Sequence, residues 1–436
     1  MRPSARPSDV NEYPQTTALD LCRLGMRAAG AALRHPRSFD MGLVLHQWLS
    51  QMTVRHRSPN VRLKLPAAPM LLVTDRDLSR HVLAAQPRHE GYGPGTLKRE
   101  GMSYLAPRAL TIAEDERWAR LRPFNERVLC AGRPHDLQRT FLGHVRRAFA
   151  QPVRSTEDIR IRMGHAMLAI VFGEGVAPES LADEMRAVFG LVQNPLRRRL
   201  AGARGRRRVE ALYDGIRRAW QAGEAKGAPS LLGMARNAGE EEDLLQQVPH
   251  WMFTFTGSGS DLLIRGLAMI GSRPDDLRRA RGELPLGGKL DEPASIDALR
   301  YLEACLLEGA RLFPPVRFTI HRAGAADAVN GSRIAPGTEL LQVFSLTQRD
   351  GGADPTADAF RPQRWLSTRP EAEAAYPNLF LSGTRRCPGR DLILFVCKGA
   401  AAHLLQAGLV ISSEKLATDP LPFSFPERSL ELRTPA

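Results

Sequence analysis

The segment Phe380-Leu381-Ser382-Gly383-Thr384-Arg385-Arg386-Cys387-Pro388-Gly389 sets one cysteine among glycines and arginines, and an apolar run over residues 392–405 follows it. A helix over that run leaves Cys387 just ahead of its N-terminus, where the helix dipole and the neighbouring guanidinium groups favour thiolate. Such a sulfur is either a nucleophile or a metal ligand. A nucleophile needs a base, and the segment holds no histidine; His403 lies roughly four turns down the helix and reads as a packing residue. As a ligand to iron the sulfur needs no base. It needs small residues that admit a flat macrocycle to the backbone, and a cation for the macrocycle's carboxylates.

Other residues stand at spacings that matter. Glu308 and Arg311 are i, i+3 in a run that ends Leu312-Phe313-Pro314-Pro315, and so share a helix face. Alone, such a pair on a surface is worth a few tenths of a kcal/mol, about 0.3–0.5. Trp118 and Arg122 are i, i+4 on a second predicted helix.

Phe380, Gly383, Arg385, Cys387 and Gly389 fill every fixed position of the pattern Phe-x-x-Gly-x-Arg-x-Cys-x-Gly. On these residues the chain resembles the cytochrome P-450 family, in the manner of a soluble bacterial-type member. The resemblance implies a mainly α fold with small β-sheets (α+β), a triangular helical body enclosing haem b (iron protoporphyrin IX). It makes Cys387 the proximal iron ligand, sets Phe380 beside the sulfur, where it influences the reduction potential, and pairs Arg385 with a haem propionate. Glu308 and Arg311, with Arg364 from Phe360-Arg361-Pro362-Gln363-Arg364-Trp365, then form a buried structural triad. Trp118 and Arg122 would reach the propionates, as would Arg322 in Thr319-Ile320-His321-Arg322. The motifs imply one catalytic domain over residues 1–436, with 1–55 as a helical lead-in and the β-rich part within 56–112 and 314–345.

The implied activity is a monooxygenase that inserts one atom of dioxygen into a small organic substrate, by hydroxylation or epoxidation, in secondary metabolism. By the same analogy the substrate pocket draws on residues 91–112, 185–220, 316–318 and Phe423, with Arg317 facing a substrate carboxylate, a propionate or solvent. The chain lacks a strand-Gly-x-Gly-x-x-Gly-helix unit for a flavin or nicotinamide. Electrons therefore come from a separate acidic ferredoxin- or flavodoxin-type partner with its reductase, docking on Arg386, Arg390 and Lys398.

One segment departs from the family pattern. The distal helix of the family carries Ala/Gly-Gly-x-Asp/Glu-Thr, whose acid and alcohol relay protons. Ser258-Gly259-Ser260-Asp261-Leu262 keeps glycine and acid but has leucine at the alcohol's place, and leucine neither donates nor accepts a proton. Asp261, Ser258 and Gly259 are the candidate catalytic residues, with Ser258 one turn before Leu262 supplying the hydroxyl. A substrate hydroxyl or a water does so otherwise, or the frame shifts and Thr256 or Ser260 fills the position. The alternative activities are a peroxygenase, an isomerase or a coupling enzyme that does without this relay. A basic nucleic-acid-binding protein with a fortuitous loop is a further alternative.

The elements that must position these residues follow from the rest of the chain. It has 436 residues, 43% hydrophobic and 25% charged, with 61 Lys+Arg against 47 Asp+Glu and a net charge of +14. That composition is globular. No apolar stretch nears the roughly 20 residues of a membrane span, and no apolar segment follows Arg2 and Arg6, so neither an anchor nor a secretory signal is predicted. Five cysteines without metal spacing suit a reducing cytoplasm. Alternation predicts strands over 61–65 and 70–74, broken by Pro66-Ala67-Ala68-Pro69, then a helix opened by Asp75-Arg76-Asp77. Helical periodicity dominates 116–281, with a helix beginning near Pro249 after the acidic run 240–243, and an edge strand is predicted over 429–433. Seven arginines crowd residues 197–208. Without interleaved aromatics or a known module they read as a solvated face, and no nucleic acid is assigned to them.

Overall fold

The apolar tetrad Met70-Leu71-Leu72-Val73 reads as a strand buried on both faces, and the computed structural model forms it as such, at the centre of one of two bodies. The structure describes residues 12–34, 41–64, 70–235, 241–285, 290–330, 332–352, 354–366, 375, 376 and 378–433. In chain order the helices are α1 (Ala18–Arg34), α2 (Met41–His56), α3 (Arg76–Ala84), α4 (Thr96–Leu105), α5 (Asp115–Val128), α6 (Gln138–Ala148), α7 (Thr156–Phe172), α8 (Ser180–Gln193), α9 (Pro195–Lys226), α10 (Leu231–Ala235), α11 (Glu241–Phe253), α12 (Ser260–Gly271), α13 (Pro274–Gly282), α14 (Pro293–Asp297), α15 (Arg300–Leu312), α16 (Phe344–Gln348), α17 (Arg390–Gln406) and α18 (Glu414–Ala417). The strands are β1 (Asn60–Leu63), β2 (Met70–Val73), β3 (Tyr92–Pro94), β4 (Phe318–Ala323), β5 (Asp327–Val329), β6 (Ser332–Ile334), β7 (Glu339–Val343), β8 (Val410–Ser412) and β9 (Glu431–Arg433). The fold is mainly α with small sheets. The chain divides into two compact units, one of Met1–Lys98, Val316–Ala357 and Glu373–Arg386, the other of Arg99–Pro315, Asp358–Ala372 and Cys387–Ala436.

The first unit is built on a five-stranded sheet of order β1-β2-β7-β4-β3, in which only β2 and β7 run parallel. Side chains alternate across the pleat. Leu71 and Val73 therefore join Leu78 and Val82 of α3 on one face, and Leu72 joins Trp48 and Met52 of α2 on the other. Helix α3 starts where the sequence predicts, with Asp75 as its cap accepting from the Leu78 N–H at 2.6 Å. The predicted turn 66–69 lies outside the described residues.

The second unit is helical, with the β8–β9 pair at its margin. Two predictions need correction. The helix placed near Pro249 begins at Glu241 and carries Pro249 inside it. Proline costs about 3 kcal/mol in a helix interior. Burial of Leu244, Leu245, Val248, Trp251 and Met252 along one side outweighs that cost. Helix α11 then runs through a π-helical turn, Thr254–Gly259, directly into α12. At the C-terminal end, Ser429 closes a 3-10 turn and only Glu431–Arg433 pair as a strand. The arginine run lies on α9, whose backbone breaks at Gly202 (φ 48°, ψ −127°). Among the described residues no helix is long and apolar enough to cross a membrane.

Candidate functional site

Cys387 opens the last segment of the second unit, three residues ahead of α17. Its carbonyl accepts from Arg390 N at 3.4 Å. The buried Arg390 guanidinium pairs with Asp391 at 2.6 Å, and the second Asp391 oxygen accepts from Gly132 N at 2.8 Å. Desolvation pushes the Cys387 thiol above its ordinary value, against the Gly389 N–H and the charges of Arg122 and Arg390, which pull it down. The sequence reading weighed the dipole and the arginines but not the burial, and burial wins. A metal bound here would displace the proton.

Arg122 and Trp118 lie one turn apart on α5. Arg122 donates to Glu126 at 2.7 Å, and Trp118 packs against Leu110, Ala113 and Leu121. Helix α5 is fixed by neutral amides that carry no motif. Trp251 of α11 donates to Asn125 at 2.8 Å and stacks on Phe124, while Gln247 accepts from Leu110 N at 3.0 Å. Sequence reasoning missed Asn125, Gln247 and Trp251 because only their burial marks them. Gly389 is buried, and a Cβ there would stand 3.0 Å from the Phe255 ring of the π-helical turn.

The other half of the cysteine signature lies in the first unit. Gly383 takes φ +58°, and a Cβ on it would come within 2.6 Å of Ala84 Cα at the end of α3. Only glycine fits that turn. Thr384 Oγ1 donates to Ala85 O at 2.9 Å, Arg385 Nη2 donates to Tyr92 O, and Phe380 is half-buried. Arg385 also bears on two basic side chains that the sequence reading passed over. Burial and then Arg385 draw the Lys98 amine down to about 8, and burial, Arg385 and Lys98 hold His321 well below its ordinary value. His321 is 1% exposed, and among the described residues its Nδ1 has no hydrogen-bond partner.

Arg322, the cation expected on this strand, follows His321 on β4 and so points from the opposite side of the pleat. It is exposed, with its guanidinium towards Gly337. The basic side chain that β4 turns towards Arg385 is His321.

The distal residues differ most from expectation. Ser258 and Gly259 lie in the π-helical turn, so the assumed one-turn relation of Ser258 to Leu262 gives way to i→i+5 bonding. Asp261 accepts from Arg265 at 2.6 Å and from Arg160 at 3.1 Å, and Arg160 also pairs with Glu427 at 2.7 Å. Asp261 is thus braced by two guanidinium groups, one from its own helix and one from α7. Thr256 Oγ1 donates to Met252 O and Ser260 Oγ to Thr256 O, both at 2.5 Å, so these hydroxyls are bonded back to their own helix. Gly259 serves packing, since a Cβ there would lie 2.6 Å from Ile393 Cδ1 of α17.

Glu308 and Arg311 are both wholly buried, joined by bonds of 2.9 and 2.8 Å. Glu308 also accepts from Arg364 at 3.0 Å, Trp365 at 2.8 Å and Arg361 N at 2.9 Å. Burial alone would raise its carboxyl, but Arg311 and Arg364 outweigh it and the carboxyl is lowered. The basic patch expected of Arg386, Arg390 and Lys398 is not formed. Helix α17 is buried nearly throughout, so Arg390 turns to Asp391 and Lys398 to Glu303 at 2.8 Å, and only Arg386 is exposed.

Cys387 offers a single donor, and among the described residues no three His, Cys, Asp or Glu side chains come together to hold a metal ion. An iron on this sulfur takes its remaining ligands from a macrocycle. Within the second unit, Gly389 and the guanidinium groups of Arg122 and Arg390 suit such a group.

The comparisons agree. A model of the family "Cytochrome P450" matches residues 276–411. Dimethylnonatriene synthase of Arabidopsis thaliana is 30% identical over 192 residues, 42% of this chain and 37% of that protein. Human cytochrome P450 4V2 is 27% identical over 179 residues, 40% and 34% of the two chains. Cytochrome P450 94C1 of Arabidopsis thaliana is 29% identical over 189 residues, 40% and 37%. The chain spans little more than a third of the length of these relatives. Residues 276–411 are thus similar to the cytochrome P450 family, whose members bind haem b through a cysteine thiolate.

Proposed function

We propose that the chain is a haem-thiolate monooxygenase of the cytoplasm that inserts one oxygen atom into a small organic substrate, by hydroxylation or epoxidation, in secondary metabolism. The observation that carries this reading is Cys387 at the head of α17, its proton opposed by the Gly389 N–H, Arg122 and Arg390. The two units make one catalytic domain over residues 1–436, with 1–55 as lead-in and the β-rich part within 56–112 and 314–345. In support, the chain passes between them at 98/99, 315/316, 357/358, 372/373 and 386/387, which no pair of sequential domains would do.

When bound, the haem supplies the oxygen activation and the thiolate's electron push. The protein supplies the rest. Cys387 holds the iron, Phe380 shields the sulfur, and Arg385, Trp118 and Arg122 are the propionate cations and donors, with Lys98 and His321 beside Arg385. Gly383 and Gly389 keep the loop low. Glu308, Arg311 and Arg364 brace the segment behind it. Residues 91–112, 185–220 and 316–318, with Phe423, line the substrate side.

Asp261 braces α12 to α7 and is the candidate acid of the distal side, and the hydroxyl for oxygen activation is that of Ser258, a water or the substrate. Electrons come from an acidic ferredoxin- or flavodoxin-type protein and its reductase. The clamped acid and Leu262 favour one second reading, a peroxygenase. Product formed with a reduced ferredoxin and dioxygen, and lost as salt rises, supports the monooxygenase. Product formed only with hydrogen peroxide supports the second reading and overturns the first.

A further inference from the structure

Glu339 takes no part in the chemistry above, yet it is a buried acid at the start of β7. Arg322 stands opposite it in the β4–β7 register, but that guanidinium lies towards Gly337, and among the described residues no ion pair joins the two. The carboxylate turns instead to the start of α4. Both of its oxygens accept from Thr96 N at 3.2 Å, and Oε1 also accepts from Thr96 Oγ1 at 2.6 Å. A Cβ on Gly95 would lie 2.6 Å from Glu339 Oε2 and 2.3 Å from Ile320 Cγ2, so only glycine lets the chain pass this close to the acid. The helix dipole favours an anion at this end, and the bonds to Thr96 fix where α4 begins.

The sheet and the helix then carry this contact from one side to the other. Glu339 and Ile320 share the face of Arg322, and His321 lies on the opposite face. Residues two apart in a helix are turned by roughly 200°. Thr96 therefore meets Glu339, while Lys98 is carried round to the side of Arg385 and His321, where the three basic groups act on one another. All of these residues belong to the first unit.

We propose that Glu339 is a positioning residue for a carboxylate-binding site: by holding Thr96 from one face of the sheet, it sets the Lys98 amine beside Arg385 on the other. A carboxylate ligand then meets Arg385 and Lys98 together. That this ligand is a haem propionate rests on the function proposed above, and the placement of the amine does not.

The test is titration of the Lys98 amine in the full chain without haem, by NMR after reductive methylation with labelled formaldehyde, the signal being assigned through Lys98→Arg. Burial and Arg385 draw that amine down to about 8 from an ordinary 10.5. Loss of a nearby negative charge lowers a lysine further, whereas release from burial and from Arg385 raises it, so the sign of the change separates the two. Glu339→Leu is expected to move the titration up towards 10.5, and Thr96→Val to move it the same way by less. Glu339→Gln keeps an oxygen for Thr96 and is expected to titrate as the wild type does. Far-ultraviolet circular dichroism matching the parent shows that the variants are folded. A Lys98 titration unchanged or lowered in folded Glu339→Leu would overturn the proposal. Haem content is read separately from the pyridine haemochrome spectrum. The expected rise in titration with undiminished haem content upholds the positioning and counts against the propionate reading alone.

Discussion

Asp261 accepts a 2.6 Å hydrogen bond from Arg265, one turn further along α12, while its other oxygen accepts from Arg160 of α7. The acid is engaged on both sides. Asp261→Asn therefore acts first on stability, lowering it by about 2–3 kcal/mol through the loss of charge-assisted bonds. In a urea titration, Arg160→Gln should be less harmful in that background than alone, because the two share one network. Wild-type stability with abolished product formation in Asp261→Asn would restore the acid to a relay.

Gly259→Ala forces a methyl against Ile393 Cδ1, and overpacking of this kind costs about 1–3 kcal/mol. Ile393→Val removes that carbon. Recovery of the unfolding midpoint in the double variant is the expected result, and a deficit that stays additive would show that Gly259 is needed for something other than the crossing of α12 and α17.

Motifs with charge or sulfur were legible in the sequence, and so was the order of elements around them. Cys387, Glu308, Arg311 and Arg364 are types whose spacing limits what they can do. The amides Asn125 and Gln247 were not legible, because their role rests on burial between helices far apart in the chain. His321 was hidden by Arg322 beside it, since only the pleat decides which neighbour faces Arg385. The π-helical turn was equally invisible, and it changes the spacing between Ser258 and Leu262. The pairing of Asp261 with Arg160 was hidden as well, because the two lie 101 residues apart.

Glu308 gives the account a pH dependence. Its carboxyl is lowered in the folded state, so its stabilising effect is complete above the ordinary value of 4.5 and fades as pH falls through the folded value. Glu308→Gln removes about 3–5 kcal/mol at neutral pH, since the buried Arg311 and the half-buried Arg364 lose their acid. Wild-type unfolding midpoints measured from pH 7 down through 4 should fall faster than those of the variant. Parallel curves would mean that Glu308 is not ionised in the fold.

The proposed propionate site makes Lys98 and His321 testable through cofactor retention. Lys98 loses its proton near pH 8, and an anionic carboxylate beside it restores the charged form. Haem uptake by the apoprotein should therefore weaken as pH rises past about 8, and Lys98→Met should flatten that profile and lower haem content. Arg322→Gln should retain wild-type haem content, read from the pyridine haemochrome spectrum. Haem loss in Arg322→Gln with none in Lys98→Met or His321→Leu would reverse the assignment on β4.

The central claim is that Cys387 is the iron ligand, and the reduced, carbon-monoxide difference spectrum tests it most directly. Reconstituted protein should give the red-shifted Soret band of a thiolate-ligated haem, and Cys387→Ser, folded by circular dichroism, should lose it. Absence of that band from well-folded, haem-loaded protein, or its persistence in Cys387→Ser, would contradict the account.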